Sequence, residues 1–127
     1  MKLNFGIIGG GSWGTTVASL TAKNNNTILW ARNKNTVLEI NEKHTNSKYL
    51  PISQLNKNLK ASNSIEDTVK NADVIVVGIP SQHFREVLKI ANPYIRPWVP
   101  IVSLAKGLEL DTKMRMTEII EVELPGH

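Results

Sequence analysis

Phe5-Gly6-Ile7-Ile8-Gly9-Gly10-Gly11-Ser12-Trp13-Gly14-Thr15-Thr16-Val17-Ala18 reads as a buried strand, a glycine-rich turn and the start of a helix. Gly9, Gly11 and Gly14 fit G-x-G-x-x-G, the phosphate-binding turn of dinucleotide-binding folds. Each glycine has its own task. Gly9 takes the tight turn out of the strand. Gly11, without a Cβ, lets the backbone approach a pyrophosphate. Gly14 lets the helix pack closely on the strand. The N–H groups free at the helix start and the sign of the helix dipole both favour an anion there. The plainer alternative is a glycine-rich turn with no ligand. Context speaks against it: an apolar run precedes the motif, and Val17, Ala18 and Leu20 give the following helix a buried side. A second strand, Thr27–Ala31, then arrives at the spacing of a βαβ unit.

Outward from this stretch, strands alternate with helices. Strands are expected at 3–8, 27–31, 59–62, 73–80 and 99–104, with Gly6 a minor cost inside the first. Helices are expected at 13–23, from a cap at Asn33 or Asn35 to about Asn41, at 65–71 behind Ser64, at 82–91 and at 113–122. Glu66 and Asp67 fall in the first turn of the third helix, where the dipole favours them. The apolar run ending at Pro80 suits a strand buried on both faces. The pattern predicts a Rossmann-type doubly wound parallel sheet of order 3-2-1-4-5, residues 1–127 forming one domain. A dinucleotide would lie across the carboxyl ends of strands one and four.

Composition narrows the classes. The chain has 127 residues, 41% of them hydrophobic, enough for a folded core. It has no cysteine, which excludes disulfides and thiolate chemistry. No run approaches the roughly 20 apolar residues of a membrane span. The N-terminal apolar stretch leads into the glycine turn, so a signal peptide is not expected and the cytoplasm is the default location. The net charge of +4 comes from 15 basic and 11 acidic residues, scattered rather than clustered. That pattern does not suggest a nucleic-acid surface, and its bias suits phosphorylated small ligands. His44, His83 and His127 lack the spacing of a shared zinc site, so no metal is expected.

NAD-binding units carry an Asp or Glu about 20 residues past the glycines to hold the ribose. Here the matching stretch is Trp30-Ala31-Arg32-Asn33-Lys34, with no carboxylate. Arg32 and Lys34 suit a 2′-phosphate, so the reading leans to NADP or to tolerance of both NADP and NAD; the alternative is two exposed cations. Pro80 and Ser81, just past the fourth strand, are candidate cofactor neighbours, although Ser81 equally suits a helix cap. Lys106, past the fifth strand, is placed for a phosphate or a substrate oxygen, or is an exposed lysine. The polar stretch 42–51 is long for a connector, and such loops often line a ligand. His44 reads as a surface histidine, and Met114 and Met116 as core.

Several stretches together resemble one family. Gly9-Gly10-Gly11-Ser12-Trp13-Gly14-Thr15 resembles the GxGSWGT start of NAD(P)-dependent sn-glycerol-3-phosphate dehydrogenases. Leu29-Trp30-Ala31-Arg32 is similar to their second-strand ending. Ile40-Asn41 with His44, Asn46 and Tyr49-Leu50-Pro51 looks like their IN-x-x-H-x-N-x-x-YLP segment. Val77-Gly78-Ile79-Pro80-Ser81 with Arg85-Glu86-Val87-Leu88 resembles VPS-x-x-x-REVL, and Ala105-Lys106-Gly107-Leu108-Glu109 resembles KG-(I/L)-E.

The resemblance implies hydride transfer between dihydroxyacetone phosphate and sn-glycerol 3-phosphate, in the service of phospholipid synthesis. It places Ser12 and Trp13 near the cofactor pyrophosphate and Arg32 at the adenosine ribose. It places Lys106 against both cofactor and substrate, and Tyr49 beside the cofactor. It also implies a helical substrate domain that supplies the catalytic lysine and is missing from these residues. The chain is thus expected to be a cofactor-binding fragment with little turnover alone, and the full-length enzyme a homodimer. Two alternatives stay open: the cofactor domain of another small hydroxyacid or ketoacid reductase, and a non-catalytic dinucleotide-binding module.

Overall fold

Five short stretches, four of them largely apolar, become five parallel strands: β1 (Asn4–Ile8), β2 (Asn26–Trp30), β3 (Lys60–Ser62), β4 (Val74–Val77) and β5 (Ile101–Ser103). They are joined by α1 (Ser12–Thr21), α2 (Lys34–Lys43), α3 (Ile65–Val69) and α4 (Ser81–Ala91), and α5 (Met116–Glu123) follows. The computed structural model describes residues 2–79, 81–104 and 116–124. The strand order is β3-β2-β1-β4-β5, as the alternation of elements predicts. Ile8 pairs with Trp30 on one side and Val77 on the other, so the carboxyl ends of the central strands finish level.

Strand residues alternate between the two faces of the sheet. Ile7, Leu29 and Val76 share one core with Ala18 of α1 and Ile40 of α2. Ile8, Ile75 and Val77 share the other with Val69 of α3, Phe84 and Leu88 of α4, and Ile119 of α5. Burial on both faces explains why β4 reads as an unbroken Val-Ile-Val-Val run. Each fully buried side chain of this size contributes about 1.5–3 kcal/mol. Arg85 of α4 pairs with Glu123 of α5 at 2.5 Å, adding a polar tie beside the apolar contact.

The helix and strand ends differ from expectation for local reasons. Helix α1 stops at Thr21 rather than 23, because Asn24 and Asn25 both turn their N–H groups back onto the Thr21 carbonyl. Asn33, not Asn35, caps α2: its side-chain oxygen accepts from the Asn35 N–H. That helix runs on to Lys43 and ends when His44 adopts the left-handed conformation (φ 57°). Ser64 caps α3 as expected, accepting from the Asp67 N–H, but the helix ends at Val69. Strand β4 begins at Val74, because Asp73 closes its start: the Asp73 carboxylate takes the Asn4 N–H, and the Asp73 N–H goes to the Asn4 carbonyl. Met114 and the side chain of Met116 lie outside the described residues.

Gly6 is more than a minor cost. A Cβ there would lie 2.6 Å from the Thr68 carbonyl oxygen, so α3 crosses β1 at a distance only glycine permits. Gly6→Ala is expected to destabilise the fold by about 1–3 kcal/mol, because backbone must move to admit the methyl. A urea titration checks this: the midpoint falls in the variant, and an unchanged midpoint would contradict the packing.

Candidate functional site

The glycine turn sits at the carboxyl end of β1. Gly9 has φ +126°, a conformation that side-chain-bearing residues rarely adopt, and its N–H bonds the Trp30 carbonyl at 3.0 Å. A Cβ on Gly14 would lie 2.1 Å from the Gly9 carbonyl oxygen. The first turn of α1 therefore rests directly on the glycine turn. Gly11 is the N-cap of α1 and has no side chain with which to cap it, and the first turn holds no acidic residue. The first-turn N–H groups have no intrahelical acceptors, which makes this helix start a place for an anion.

Gly11 differs from its neighbours. No atom lies within 4 Å of where its Cβ would be, and its φ of −78° suits any residue. Nothing in the protein requires glycine at this position. In dinucleotide-binding folds the glycine at this place of the motif serves the close approach of a pyrophosphate to the backbone.

A cavity of about 750 Å³ opens beside the turn. Gly9, Gly10 and Gly11 form one wall, and Ala31 and Arg32 at the end of β2 form the next. Gly78 and Ile79, past β4, and His83 of α4 form the third. Lys48 and Tyr49 of the 44–50 connector close the last side. Among the described residues no carboxylate lines the cavity, while Arg32 and Lys48 both do. The Lys48 Nζ lies 5.3 Å from the centre of the Tyr49 ring, a cation–π distance.

The connector is ordered by its own polar contacts. Glu39 of α2 accepts from the Thr45 hydroxyl at 2.6 Å, and from the Ser47 N–H at 2.8 Å and hydroxyl at 3.0 Å. The Thr45 hydroxyl first, then the Ser47 N–H, holds the Glu39 carboxyl below the usual carboxylate range. On the other side, the fully buried Asn46 donates to the Gly10 carbonyl at 2.9 Å and reaches the Thr15 hydroxyl oxygen at 3.0 Å. The Ser12 hydroxyl donates to the Tyr49 carbonyl at 3.1 Å.

Of the residues expected at the site, Gly9, Gly11, Arg32 and Tyr49 come together around the cavity. Ser12, Trp13, Gly14 and Lys34 are not among its lining residues. The Ser12 side chain is turned to the connector, Trp13 is 74% exposed, and Gly14 is buried under the turn. Pro80, Lys106 and the side chain of Ser81 lie outside the described residues. Lys48, His83 and Asn46 were not expected at the site. Lys48 and Asn46 lie in the polar connector, whose length hinted at the ligand, and Asn46 is also part of the IN-x-x-H-x-N-x-x-YLP segment. Among the described residues no group of three His, Asp or Glu could hold a metal ion. No helix among them is long and apolar enough to cross a membrane.

The sequence family described as NAD-dependent glycerol-3-phosphate dehydrogenase N-terminus matches residues 4–127. A glycerol-3-phosphate dehydrogenase (NAD(P)+) of Sphingopyxis alaskensis is 52% identical over 127 residues, which are 100% of this chain and 38% of that protein. The Bacillus subtilis glycerol-3-phosphate dehydrogenase (NAD(P)+) is 39% identical over 94% of this chain and 35% of its own length. The crystal structure of glycerol-3-phosphate dehydrogenase from Coxiella burnetii superposes with a TM-score of 0.87 at 30% identity, over 97% of this chain and 38% of that one. The chain thus spans little more than a third of the relatives it matches.

Because Glu39 has a lowered pKa in the folded state, its contribution to stability is present above the unfolded value of about 4.3 and is lost as pH falls through the lower folded value. Glu39→Gln is therefore expected to lower the urea midpoint at pH 7. The gap from the wild type should close as the titration is repeated below about pH 4. A gap that persists undiminished at low pH would contradict the carboxylate's role in ordering the connector.

Proposed function

The chain belongs to the family of NAD-dependent glycerol-3-phosphate dehydrogenase N-termini, and from that premise we propose that its cavity holds NADP(H) or NAD(H), with a preference for NADP(H), for the interconversion of dihydroxyacetone phosphate and sn-glycerol 3-phosphate. The observation that carries this reading is the open space at Gly11 beside an uncapped helix start. The first-turn N–H groups of α1 take the pyrophosphate, the backbone at Gly11 admits its close approach, and the positive end of the helix offsets its charge. Ser12 and Trp13 act there through their backbone N–H groups.

The end of β2 takes the adenosine ribose. Arg32 reaches the 2′-phosphate with its planar donor fork, and Lys48 adds a second positive charge from the connector. The absence of a carboxylate among the described lining residues supports NADP over NAD, since a carboxylate there would repel the phosphate. Gly78 and Ile79, at the end of β4, lie on the path toward the nicotinamide, with Pro80 and Ser81 following them in the chain. Lys106 is the residue assigned here to meet both cofactor and substrate.

A bound nicotinamide would supply the hydride chemistry that interconverts dihydroxyacetone phosphate and sn-glycerol 3-phosphate. The reduced carbonyl oxygen needs a proton. Lys106 polarises that oxygen, and the general acid belongs to the substrate-binding part of the whole enzyme. Within these residues the work is to hold the cofactor at both ends and keep its reactive face at the carboxyl edge of the sheet.

Titration of the chain with NADPH and with NADH tests this reading, with Arg32→Ala in parallel. NADPH is expected to bind more tightly, and the variant to lose about tenfold in NADPH affinity, the worth of one charge-assisted contact, with NADH nearly unchanged. Failure of both dinucleotides to bind up to millimolar concentration would overturn the site. Equal affinities untouched by the variant would overturn the NADP preference and the role of Arg32.

A further inference from the structure

Asn46 is 0% exposed and sits in the connector, far from the glycine turn in sequence. Its side-chain amide is spent on that turn: Nδ2 donates to the Gly10 carbonyl at 2.9 Å and contacts the Thr15 hydroxyl oxygen at 3.0 Å. The Gly10 carbonyl accepts only, so the amide nitrogen must face it. Among the described residues the buried Asn46 Oδ1 has no hydrogen-bond partner. Burying an amide oxygen without a partner costs about 1–3 kcal/mol, set against the two acceptors that the amide nitrogen satisfies. The bond to Gly10 also fixes which way its carbonyl faces, and that has a consequence for the Gly11 N–H.

The geometry of the peptide bond explains it. No peptide bond in the described structure is cis, and a trans peptide carries its N–H opposite its C=O. A Gly10 carbonyl turned onto Asn46 therefore sends the Gly11 N–H the other way, away from Asn46, and both glycines line the cavity. Left free, the Gly10–Gly11 peptide, flanked by two glycines, could flip and present its carbonyl to the anion instead. We propose that Asn46 is a positioning residue for the dinucleotide phosphates: it locks the Gly10–Gly11 peptide with its N–H toward the cavity and its carbonyl away. The proposal rests on the reading of the cavity as a dinucleotide site. Asn46 touches no ligand itself. Its neighbour two residues on, Lys48, and then Tyr49 are carried to the cavity wall by the same connector, which Glu39 and the Ser12–Tyr49 bond hold in register.

The test compares wild type with Asn46→Ala by NADPH and NADH titration, at a temperature where thermal melting shows the variant folded. Both affinities are expected to fall about tenfold, the worth of one N–H bond to a charged phosphate, because both dinucleotides share the pyrophosphate. A variant that melts earlier but binds both within twofold would reduce Asn46 to packing and overturn the proposal. A loss confined to NADPH would overturn it too, since it would place the effect at the 2′-phosphate through Lys48. If the wild type binds neither dinucleotide, the cavity reading fails and this proposal with it; wild-type binding with an indifferent variant sinks the proposal alone. Should the variant not fold, amide NMR of the isotope-labelled wild type decides. The Gly11 amide is expected to shift on NADPH addition. A Gly11 amide that stays still while those of Arg32 and Tyr49 move would overturn the proposal.

Discussion

The contact on which this structure depends is the seat of α1 on the glycine turn. With 2.1 Å between a notional Gly14 Cβ and the Gly9 carbonyl oxygen, no other residue type can hold the helix there. Gly9 makes the turn possible through its positive φ, its N–H ties the turn to the Trp30 carbonyl of β2, and the Gly78 N–H ties the end of β4 to the Ile8 carbonyl of β1. The start of α1 is thereby fixed at the centre of the carboxyl edge, where the strand order reverses direction and a doubly wound sheet leaves its crevice. The cavity follows from that placement: its walls are the ends of β1, β2 and β4 and the connector that folds over them.

The three glycines of the motif answer to different constraints. Gly9 is required by backbone conformation and Gly14 by the distance to the turn, and both requirements are internal to the protein. Gly11 has neither. No atom of the described structure requires glycine there, which makes it the residue of the motif on which the proposed cofactor site turns.

Much of this was legible in the sequence because parallel strands buried on both faces announce themselves as apolar runs. The Val74–Val77 run and the Ile7-Ile8 pair could be placed without a structure, and the order of the strands followed from the alternation with helices. Arg32 and Tyr49 were found through the ending of β2 and a family motif. Lys48 was not found, and Asn46 stood in that motif without a role, for a physical reason. A buried asparagine in a run of Lys, His, Thr, Asn and Ser has the same composition as a solvated loop, and only its partners, Gly10 and Thr15, reveal it. Gly6 was likewise underrated, since the Thr68 carbonyl that crowds it comes from a distant helix. Helix ends were misplaced where backbone turned on itself, as at Asn24 and Asn25, or where a non-glycine residue, His44, took the left-handed conformation.

The central claim is that the glycine turn is shaped for a ligand as well as for the fold, and Gly11→Ala tests it most directly. The methyl enters open space, so the urea midpoint should stay within about 0.5 kcal/mol of wild type, as for a surface substitution. Dinucleotide titration of the same variant should show NADPH and NADH affinity falling at least tenfold, about 1.4 kcal/mol or more, because the methyl occupies the pyrophosphate's place. A folded variant that binds both dinucleotides as tightly as wild type would contradict the account.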